Sequence, residues 1–404
     1  MNTLNRRNVL SGAVSAAIAA ISRIGTSYAG VDVPGLDRLR QAQSKLALRL
    51  VVATAMSRNS QNIIVSPASL AGALSVIERG GSPKLQSELH RLLGFSKSPT
   101  AWIDFDTLRR VTNTSRQSDG PLTTANALFV DSDTAPYEQA IQALAASGLK
   151  VDVADFSKPE TLVAINAWVS EQTKGKISNM LDALSRDTAL IAINALHFKD
   201  RWLTRFERNE TKTEPFYLLG GETITTPTMH TGDVRLRFRQ DERFVAVELP
   251  YATRGFSLVI VTTKQAPATS KAFATLGDWL SGTDFVESAG EVALPRFGAE
   301  TAMDLMPALA TLGFKPPQFL PGFAKGPLRL AKAQQRVVLT VDEEGTEAAA
   351  ATAVTTTRSF EGGYVKMIVD KPFLFGLRDA ATGLMIMAGY IGRPEASGPQ
   401  AQAH

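Results

Sequence analysis

The sequence predicts an α+β fold in which helices cover large sheets and one long loop stays exposed near the C-terminal end. Residues 189–198 form an apolar run of strand length with only two polar positions, as expected for a strand that is buried on both faces. Amphipathic helical patterns precede it at 37–56 and 159–173. A run of small residues, 344–358, separates two strand-forming stretches.

The chain is 404 residues long, and no linker rich in Pro, Gly or Ser separates it into folding units. We therefore expect one large domain over residues 36–394, followed by a flexible tail at 395–404 that lacks large apolar side chains. The hydrophobic fraction of 44% and the charged fraction of 20% are typical of a globular protein. This composition excludes a disordered or collagen-like chain.

Residues 1–29 are predicted to be an export signal peptide. The pair Arg6-Arg7 precedes an apolar run at 9–21 that is too short to span a bilayer, and a small-x-small cleavage site ends at Ala29. The arginine pair with its neighbours resembles a bacterial twin-arginine signal, although a general secretory signal with two arginines has the same appearance. The mature protein is therefore expected to be secreted or periplasmic, with no membrane attachment after cleavage.

The basic charge of the chain resides mostly in this leader. Cleavage removes three arginines and no acidic residue, which leaves 40 basic against 39 acidic side chains and a net charge of +1. Nothing in this balance indicates a nucleic-acid partner. Cysteine is absent, which excludes disulfides and thiolate catalysis.

Helix starts are marked by serine followed by proline. In Ser66-Pro67 and Ser82-Pro83 the serine hydroxyl can cap the first turn, and proline fits its first position. Glycines follow the apolar stripe of each segment and are expected to end both helices. The earlier helix, at 37–56, is expected to cover a sheet.

Strands are predicted from alternating or continuous apolar patterns. Segment 122–130 alternates enough to be a strand, and 189–198 is expected to be central in its sheet. Short strands with Gly-containing turns over 216–263, including 234–239 and 256–262, predict a second sheet.

A strand predicted at 336–343 leads into the long loop. Apart from Glu344, Glu347 and Arg358, residues 344–358 are small or β-branched. They contain no proline and have too little apolar surface to form a core of their own, so they can be strand or loop. In an extended conformation Thr346 and the even positions after it share one face, while Glu347 turns to solvent. Such a segment fits between existing strands, and strand-forming sequence resumes at 364–379.

This order of parts resembles the reactive-centre loop and C-terminal signature of the serpins. Residues 343–351 match the hinge of inhibitory members, and residues 370–375, Asp-Lys-Pro-Phe-Leu-Phe, match the strand after the loop. Segments 62–70 and 198–202 add two matches in family order. The resemblance spans about 36–394 and implies the serpin fold, with large mixed and antiparallel sheets covered by helices.

The resemblance implies a monomeric, single-use inhibitor that acts as a suicide substrate of a serine protease, most simply a trypsin-like one. After cleavage, residues 345–358 insert as a new strand beside 336–343. No catalytic residue and no cofactor is required of the inhibitor. The implied hinge residues are Glu343, Glu344, Gly345, Thr346, Glu347, Ala348, Ala349, Ala350 and Ala351.

Three bonds are candidates for the cleavage site. Arg358-Ser359 pairs a side chain suited to a trypsin-like pocket with a small residue that crowds nothing. Counting from Glu343 by the commonest serpin loop length instead indicates Ser359-Phe360. A chymotrypsin-like protease favours cleavage after Phe360. Alternatively, Arg358 is a solvated loop residue.

The resemblance also implies a polar cluster of Ser66, Ser69, Asn194 and Gln335 beneath the centre of the main sheet. Ser66 and Ser69 lie three apart on one helix face, so Asn194 on the adjoining strand is expected to bond to them. The alternative is helix capping by Ser66 and a satisfied core asparagine. Trp202 corresponds to the point where the loop enters the sheet, or is simply a large core residue.

Two positions depart from the family pattern. Serpins usually have glycine where Asp200 stands, and a histidine close to where Gln335 stands. Both positions are implied to control sheet opening. Because glutamine both donates and accepts, the cluster can persist, but it does not titrate near neutral pH as a histidine does.

Other binding sites receive less support. Arg235, Arg237 and Arg239 alternate on one strand face, which suits a polyanion or a protease exosite, but Asp241 and Glu242 beside them favour a solvated outer face. The four histidines are too scattered for metal spacing, so we expect no metal site.

Enzyme motifs are absent: the chain has no Gly-x-Ser-x-Gly elbow and no phosphate-binding glycine loop. A non-inhibitory serpin that binds a ligand or assists folding, and a hydrolase, remain as alternatives.

Overall fold

The computed structural model describes residues 36–58, 62–95, 120–145, 150–185, 188–253, 255–315, 320–326, 330–346 and 363–395. The predicted export signal, the hinge beyond Thr346, the three candidate cleavage bonds and the predicted tail after Glu395 lie outside these ranges.

The described helices begin and end near the predicted positions. The hydroxyl of Ser66 accepts a hydrogen bond from the Ser69 amide, the hydroxyl of Ser82 accepts one from Leu85, and Gly94 ends its helix with a φ of 68°. The helices are α1 (Leu36–Arg58), α2 (Pro67–Gly80), α3 (Pro83–Leu93), α4 (Glu138–Ala145), α5 (Pro159–Gln172), α6 (Gly277–Leu280) and α7 (Met306–Thr311).

The strands form two sheets. In chain order they are β1 (Asn62–Val65), β2 (Leu122–Asp131), β3 (Lys150–Ala154), β4 (Leu190–Phe198), β5 (Asp200–Arg201), β6 (Lys212–Tyr217), β7 (Thr223–His230), β8 (Val234–Gln240), β9 (Phe244–Pro250), β10 (Phe256–Thr263), β11 (Val286–Pro295), β12 (Phe297–Asp304), β13 (Leu330–Val341), β14 (Gly345–Thr346), β15 (Tyr364–Ile368), β16 (Phe373–Asp379) and β17 (Met385–Ile391).

The smaller sheet contains β3, β2, β4 and β13 in that order, with β12 on the far side of β13. β4 is buried along its whole length, as its apolar sequence predicts. β13 differs from the predicted strand at 336–343, because it begins at Leu330 and ends at Val341, where Asp342 starts a turn.

The larger sheet has the order β1-β17-β16-β10-β9-β8-β11-β7-β6, with β15 paired to β11 in parallel. It contains the short strands predicted over 216–263. The main core joins buried side chains of both sheets with those of α1, α2 and α3. Helices and sheets therefore share one core, which makes the architecture α+β.

A second apolar cluster lies on the other face of the smaller sheet. Ile165 and Val169 of α5 pack there with Ile191 and Ile193 of β4. The chain that follows α5, residues 173–185, also contributes buried side chains to this cluster, and we call this segment the strap. Within the described ranges, no helix has the length and apolar character needed to cross a bilayer.

Candidate functional site: the loop hinge and the β4–β13 seam

The two central strands of the smaller sheet run parallel to each other. β4 pairs with β13 from Leu190–Leu330 to His197–Val338, whereas β2 beside β4 and β12 beside β13 are both antiparallel. An antiparallel strand placed between β4 and β13 would replace one parallel ladder with two antiparallel ladders. Antiparallel pairing is slightly more stable per residue than parallel pairing, so this seam is suited to accept a strand.

The chain turns back at the end of β13. Val341 pairs with Thr346, the Asp342 amide donates to the Gly345 carbonyl at 2.9 Å, and the Asp342 carboxylate accepts from the Glu344 amide at 2.9 Å. A Cβ on Gly345 would lie 2.1 Å from the carbonyl oxygen of Asp200, and its φ is 150°. Only glycine fits this close approach.

The first hinge residues are already seated in the sheet. Gly345 pairs with Arg201 and Thr346 with Asp200, so β14 lies between the end of β13 and β5, the short continuation of β4. The Thr346 side chain is fully buried, and its hydroxyl lies 2.8 Å from the hydroxyl of Tyr251. The loop therefore departs from the mouth of the β4–β13 seam.

Trp202 holds the hinge turn from one side. Its amide donates to the Glu344 carbonyl and its indole Nε1 to the Asp342 carbonyl, both at 2.9 Å. Its ring stacks on Tyr251 with centroids 4.4 Å apart. Trp202 is thus a buried core residue that also binds the hinge turn.

The hinge carboxylates are held by arginines from other elements. Arg296 binds the buried carboxylate of Glu343 through Nε at 2.9 Å to each oxygen, and the Thr211 hydroxyl donates to it. Burial opposes ionisation, but these hydrogen bonds outweigh it and hold the pKa of Glu343 below its usual value. Glu344 is paired with Arg208 at 3.1 Å and lies 3.9 Å from Arg205.

Two aspartates beside the hinge have the opposite shift. Burial raises the pKa of Asp342, although the amides of Glu344 and Gly345 donate to its carboxylate. Burial also raises the pKa of Asp200, whose carboxylate accepts from the Thr253 hydroxyl at 2.6 Å. Asp200 is partly buried and pairs with Thr346 of β14.

Gln335 is the centre of the polar cluster beneath the seam. Its Oε1 accepts from the Ser66 amide at 2.9 Å, and its Nε2 donates to the Ser66 carbonyl at 3.1 Å and to Asn194 Oδ1 at 3.2 Å. Gln335 and Asn194 are register partners in β13 and β4, so their side-chain bond crosses the seam. Glutamine therefore connects the two strands and α2.

The expected direct bond from Asn194 to the serines is wrong, because Gln335 occupies the space between them. Asn194 instead donates to Asn126 of β2. Ser66 donates its hydroxyl to the Ile386 carbonyl at 2.7 Å and caps α2 through the Ser69 amide. The Ser69 hydroxyl has no hydrogen-bond partner among the described residues.

Comparison of the chain with known protein families identifies the family to which it belongs. A model of the family described as Serpin (serine protease inhibitor) matches residues 41–394. The chain belongs to the serpin family. The predicted family and the predicted α+β serpin fold are thereby confirmed.

Similar serpins cover nearly the whole chain. An uncharacterized serpin-like protein of Thermococcus kodakarensis is 28% identical over 393 residues, which cover 91% of each chain. A serine protease inhibitor of Cyanea capillata is 26% identical over 374 residues, which cover 87% of this chain and 98% of that protein. The crystal structure of Serpin48 from the insect Tenebrio molitor has a TM-score of 0.77 and 27% identity, covering 89% of this chain and 99% of that one.

The arginine strand of this serpin is largely neutralised by neighbouring groups. Arg235 pairs with Glu287 at 2.6 Å and Arg237 with Glu248 at 2.8 Å. Arg239 donates to a backbone carbonyl and lies 4.5 Å from the centroid of a tryptophan ring. These contacts favour the solvated outer face over a polyanion site. In the part of the chain that the structure describes, no three potential ligand residues are grouped around a metal position.

Sequence reasoning missed the groups that hold the hinge from outside it. These groups are Tyr251, Arg296, Arg208 and Thr211, and they lie between 47 and 136 positions from their hinge partners. Charge complementarity was the available signal, since Glu343 and Glu344 are acidic and need cationic partners once buried. The sequence does not say which arginines supply them.

Proposed function

We propose that this serpin is an inhibitor of a trypsin-like serine protease that traps its target by loop cleavage and insertion at the β4–β13 seam. The observation that carries the proposal is the β13–β14 hairpin, whose Thr346 is already buried at the mouth of a parallel strand pair. Loop residues that follow Thr346 enter the seam simply by continuing β14.

The first step is ordinary proteolysis. The catalytic serine of the protease attacks the carbonyl carbon of Arg358, and the amine of Ser359 leaves to give an ester-linked acyl-enzyme. The loop is then free at one end. Residues 345–358 can span about 45 Å as a strand, long enough to run the length of β4 and beyond.

Inhibition depends on a race between insertion and hydrolysis of the ester. Insertion gives the backbone groups of the new strand partners on both sides and converts the parallel seam into two antiparallel ladders. The attached protease is carried along and its catalytic geometry is distorted. The side chains at the even positions from 346 to 356 are small or β-branched and favour insertion, because they need little space in the sheet.

We assign the reactive bond to Arg358-Ser359, with Ser359-Phe360 and Phe360-Glu361 as the neighbouring alternatives. Arg358 alone among these residues offers a strong ionic anchor for a protease pocket. We also assign residues 1–29 to an export signal, which would deliver a monomeric inhibitor to the periplasm or outside the cell.

A second candidate function, ligand binding without inhibition, is favoured by a cavity in the larger sheet. The cavity has a volume of about 600 Å³ and combines apolar side chains such as Leu236 and Phe256 with Arg237 and Arg378. Arg378 is already bound to Glu248 and Ser257, so the cavity supports ligand binding less strongly than the β13–β14 hairpin supports inhibition.

Denaturing electrophoresis after incubation with trypsin tests the proposal. We expect an SDS-stable adduct whose mass equals that of the protease plus the inhibitor up to Arg358, because the fragment that begins at Ser359 is released by denaturation. Clean cleavage of the loop without adduct would contradict inhibition and indicate a substrate-like, non-inhibitory serpin. Substrate hydrolysis by the serpin alone would contradict both.

A further inference from the structure

The seam is also bridged on the face opposite Gln335, by the unit that α5 forms with the strap. Asn166 of α5 binds the strap tightly: its Oδ1 accepts from the amides of Met180 and Leu181 at 2.9 and 3.0 Å, and its Nδ2 donates to the Leu181 carbonyl at 2.9 Å. Buried strap residues pack on β2 and β4 in the second apolar cluster. Apart from Val338 of β13, the strand residues of this cluster belong to β2 and β4, so the strap is held chiefly on the β4 side of the seam.

Arg336 of β13 reaches across to this unit. One terminal nitrogen of its guanidinium donates to the Asn179 carbonyl in the strap, while its Nε donates to Glu300 of β12 at 2.6 Å. The Arg336 side chain is 25% exposed. A planar guanidinium can hold two acceptors in fixed directions at once, which a lysine ammonium does less well.

Strand insertion would affect the contacts of Arg336 with its two partners, Glu300 and Asn179, in different ways. β12 and β13 are paired continuously from Phe297–Val341 to Asp304–Gln334, so Glu300 moves with Arg336. The Asn179 carbonyl lies on the other side of the seam. Inserting a strand separates β4 from β13 by about 4.8 Å more, which is beyond the reach of a hydrogen bond.

We propose that Arg336 is a positioning residue that latches the outer face of the seam closed in the intact serpin. The latch breaks as the strand enters, whereas the Arg336–Glu300 pair persists. This inference rests on the proposed function, since it assigns a barrier to the same insertion step.

The test uses the whole intact protein and a synthetic peptide with the sequence of residues 346–358 as the probe. The peptide can enter the seam without any protease, so its uptake measures opening directly. We expect R336L, which keeps the aliphatic stem, to take up the peptide about tenfold faster than the wild type, the effect of losing one charged hydrogen bond. On storage, R336L should also lose its ability to form the adduct with trypsin faster than the wild type does.

E300Q is the matched control, because it weakens the other bond of Arg336 without touching the contact that crosses the seam. Its uptake rate should stay within about twofold of the wild type, whereas a merely structural role of Arg336 predicts equal acceleration in both variants. N166A releases the strap from α5 and should accelerate uptake as R336L does. It serves as the second variant if R336L does not fold.

The outcomes separate the two proposals. Uptake by the wild type, faster in R336L or N166A but not in E300Q, supports the latch. Uptake by the wild type at a rate that neither variant changes overturns the latch and leaves the proposed inhibition standing. Equal acceleration in R336L and E300Q also overturns it. A wild type that takes up no peptide and forms no adduct with trypsin overturns both.

Discussion

Thr346 is the last described residue before the loop, and its side chain already has no exposure to solvent. We predict that T346R abolishes inhibition while leaving the loop cleavable, because a buried guanidinium without a partner costs several kcal/mol. Adduct with trypsin should fall more than about tenfold and cleaved inhibitor should rise accordingly. T346S, which keeps the hydroxyl beside Tyr251, is the control. Unchanged adduct yield in T346R would mean that a different register is used.

Arg358 is predicted to be the residue that trypsin recognises. R358A should lose adduct formation with trypsin by at least about a hundredfold, since the charged anchor in the protease pocket is gone. R358K retains a cation and should keep most of the adduct formation with trypsin. Mass spectrometry of the fragment released from the wild type should show a new N-terminus at Ser359. A fragment beginning at Phe360 or Glu361 during adduct formation would move the bond and leave the mechanism intact.

Asp200 is predicted to weaken the intact fold near neutral pH. Its folded pKa is raised by burial, so the protonated form is favoured in the native state, and the penalty is present once the pH rises above that pKa. D200N removes the charge and can still bond to Thr253 and to the Arg201 amide. Urea unfolding should show D200N more stable than the wild type at pH 7, with the difference vanishing at pH 3. A larger difference at pH 3 would contradict this sign.

The hinge turn at 342–345 is stabilised by arginines from distant positions in the sequence. R296A leaves the buried Glu343 carboxylate without its main partner and should destabilise the intact protein by about 2 kcal/mol, less than for a fully buried pair because Arg296 is one-third exposed. R208A should cost less than about 1 kcal/mol, since Arg208 is largely exposed and Arg205 remains near Glu344. Urea unfolding at pH 7 measures both.

The pH dependence of this effect has a definite sign. The folded pKa of Glu343 lies below its usual value, so its stabilising contribution is present above the unfolded pKa, near 4.3, and is lost as the pH falls through the folded pKa. The gap between wild type and R296A should therefore close on acidification. A gap that stays constant to low pH would show that Arg296 acts through packing alone.

Some elements were predictable from local sequence and others were not. The serine-capped helices and the fully apolar β4 carry strong local signals. β12 was not predicted, because Gly298, Ala299 and Ala302 have low strand propensity, and its pairing with β13 decides its conformation. Similarly, the position of Asn194 was predictable, but its contact with Gln335 depends on register between strands that are far apart in sequence.

The whole molecule is predicted to become more stable when its loop is cut. Cleavage of a loop normally adds freedom to a chain, but in the proposed mechanism it releases a strand that would pair with both β4 and β13. The thermal midpoint of the cleaved wild type should exceed that of the intact protein by at least about 10 °C, as several kcal/mol of new pairing implies. Cleaved T346R should show no such rise. Scanning calorimetry on intact and cleaved samples decides it.

The hairpin between β13 and β14 is formed before cleavage, and this affects the rate at which the loop can add to the sheet. Pairing Val341 with Thr346 before cleavage means that the loop has no turn left to find and no register left to search. Hairpin extension proceeds in about 1–10 μs, whereas proteases turn over in milliseconds to a second. The addition of strand to strand is then far too fast to set the outcome. In the proposed mechanism the slow step that competes with ester hydrolysis is therefore the separation of β4 from β13. The interactions between these two strands determine the rate of that separation.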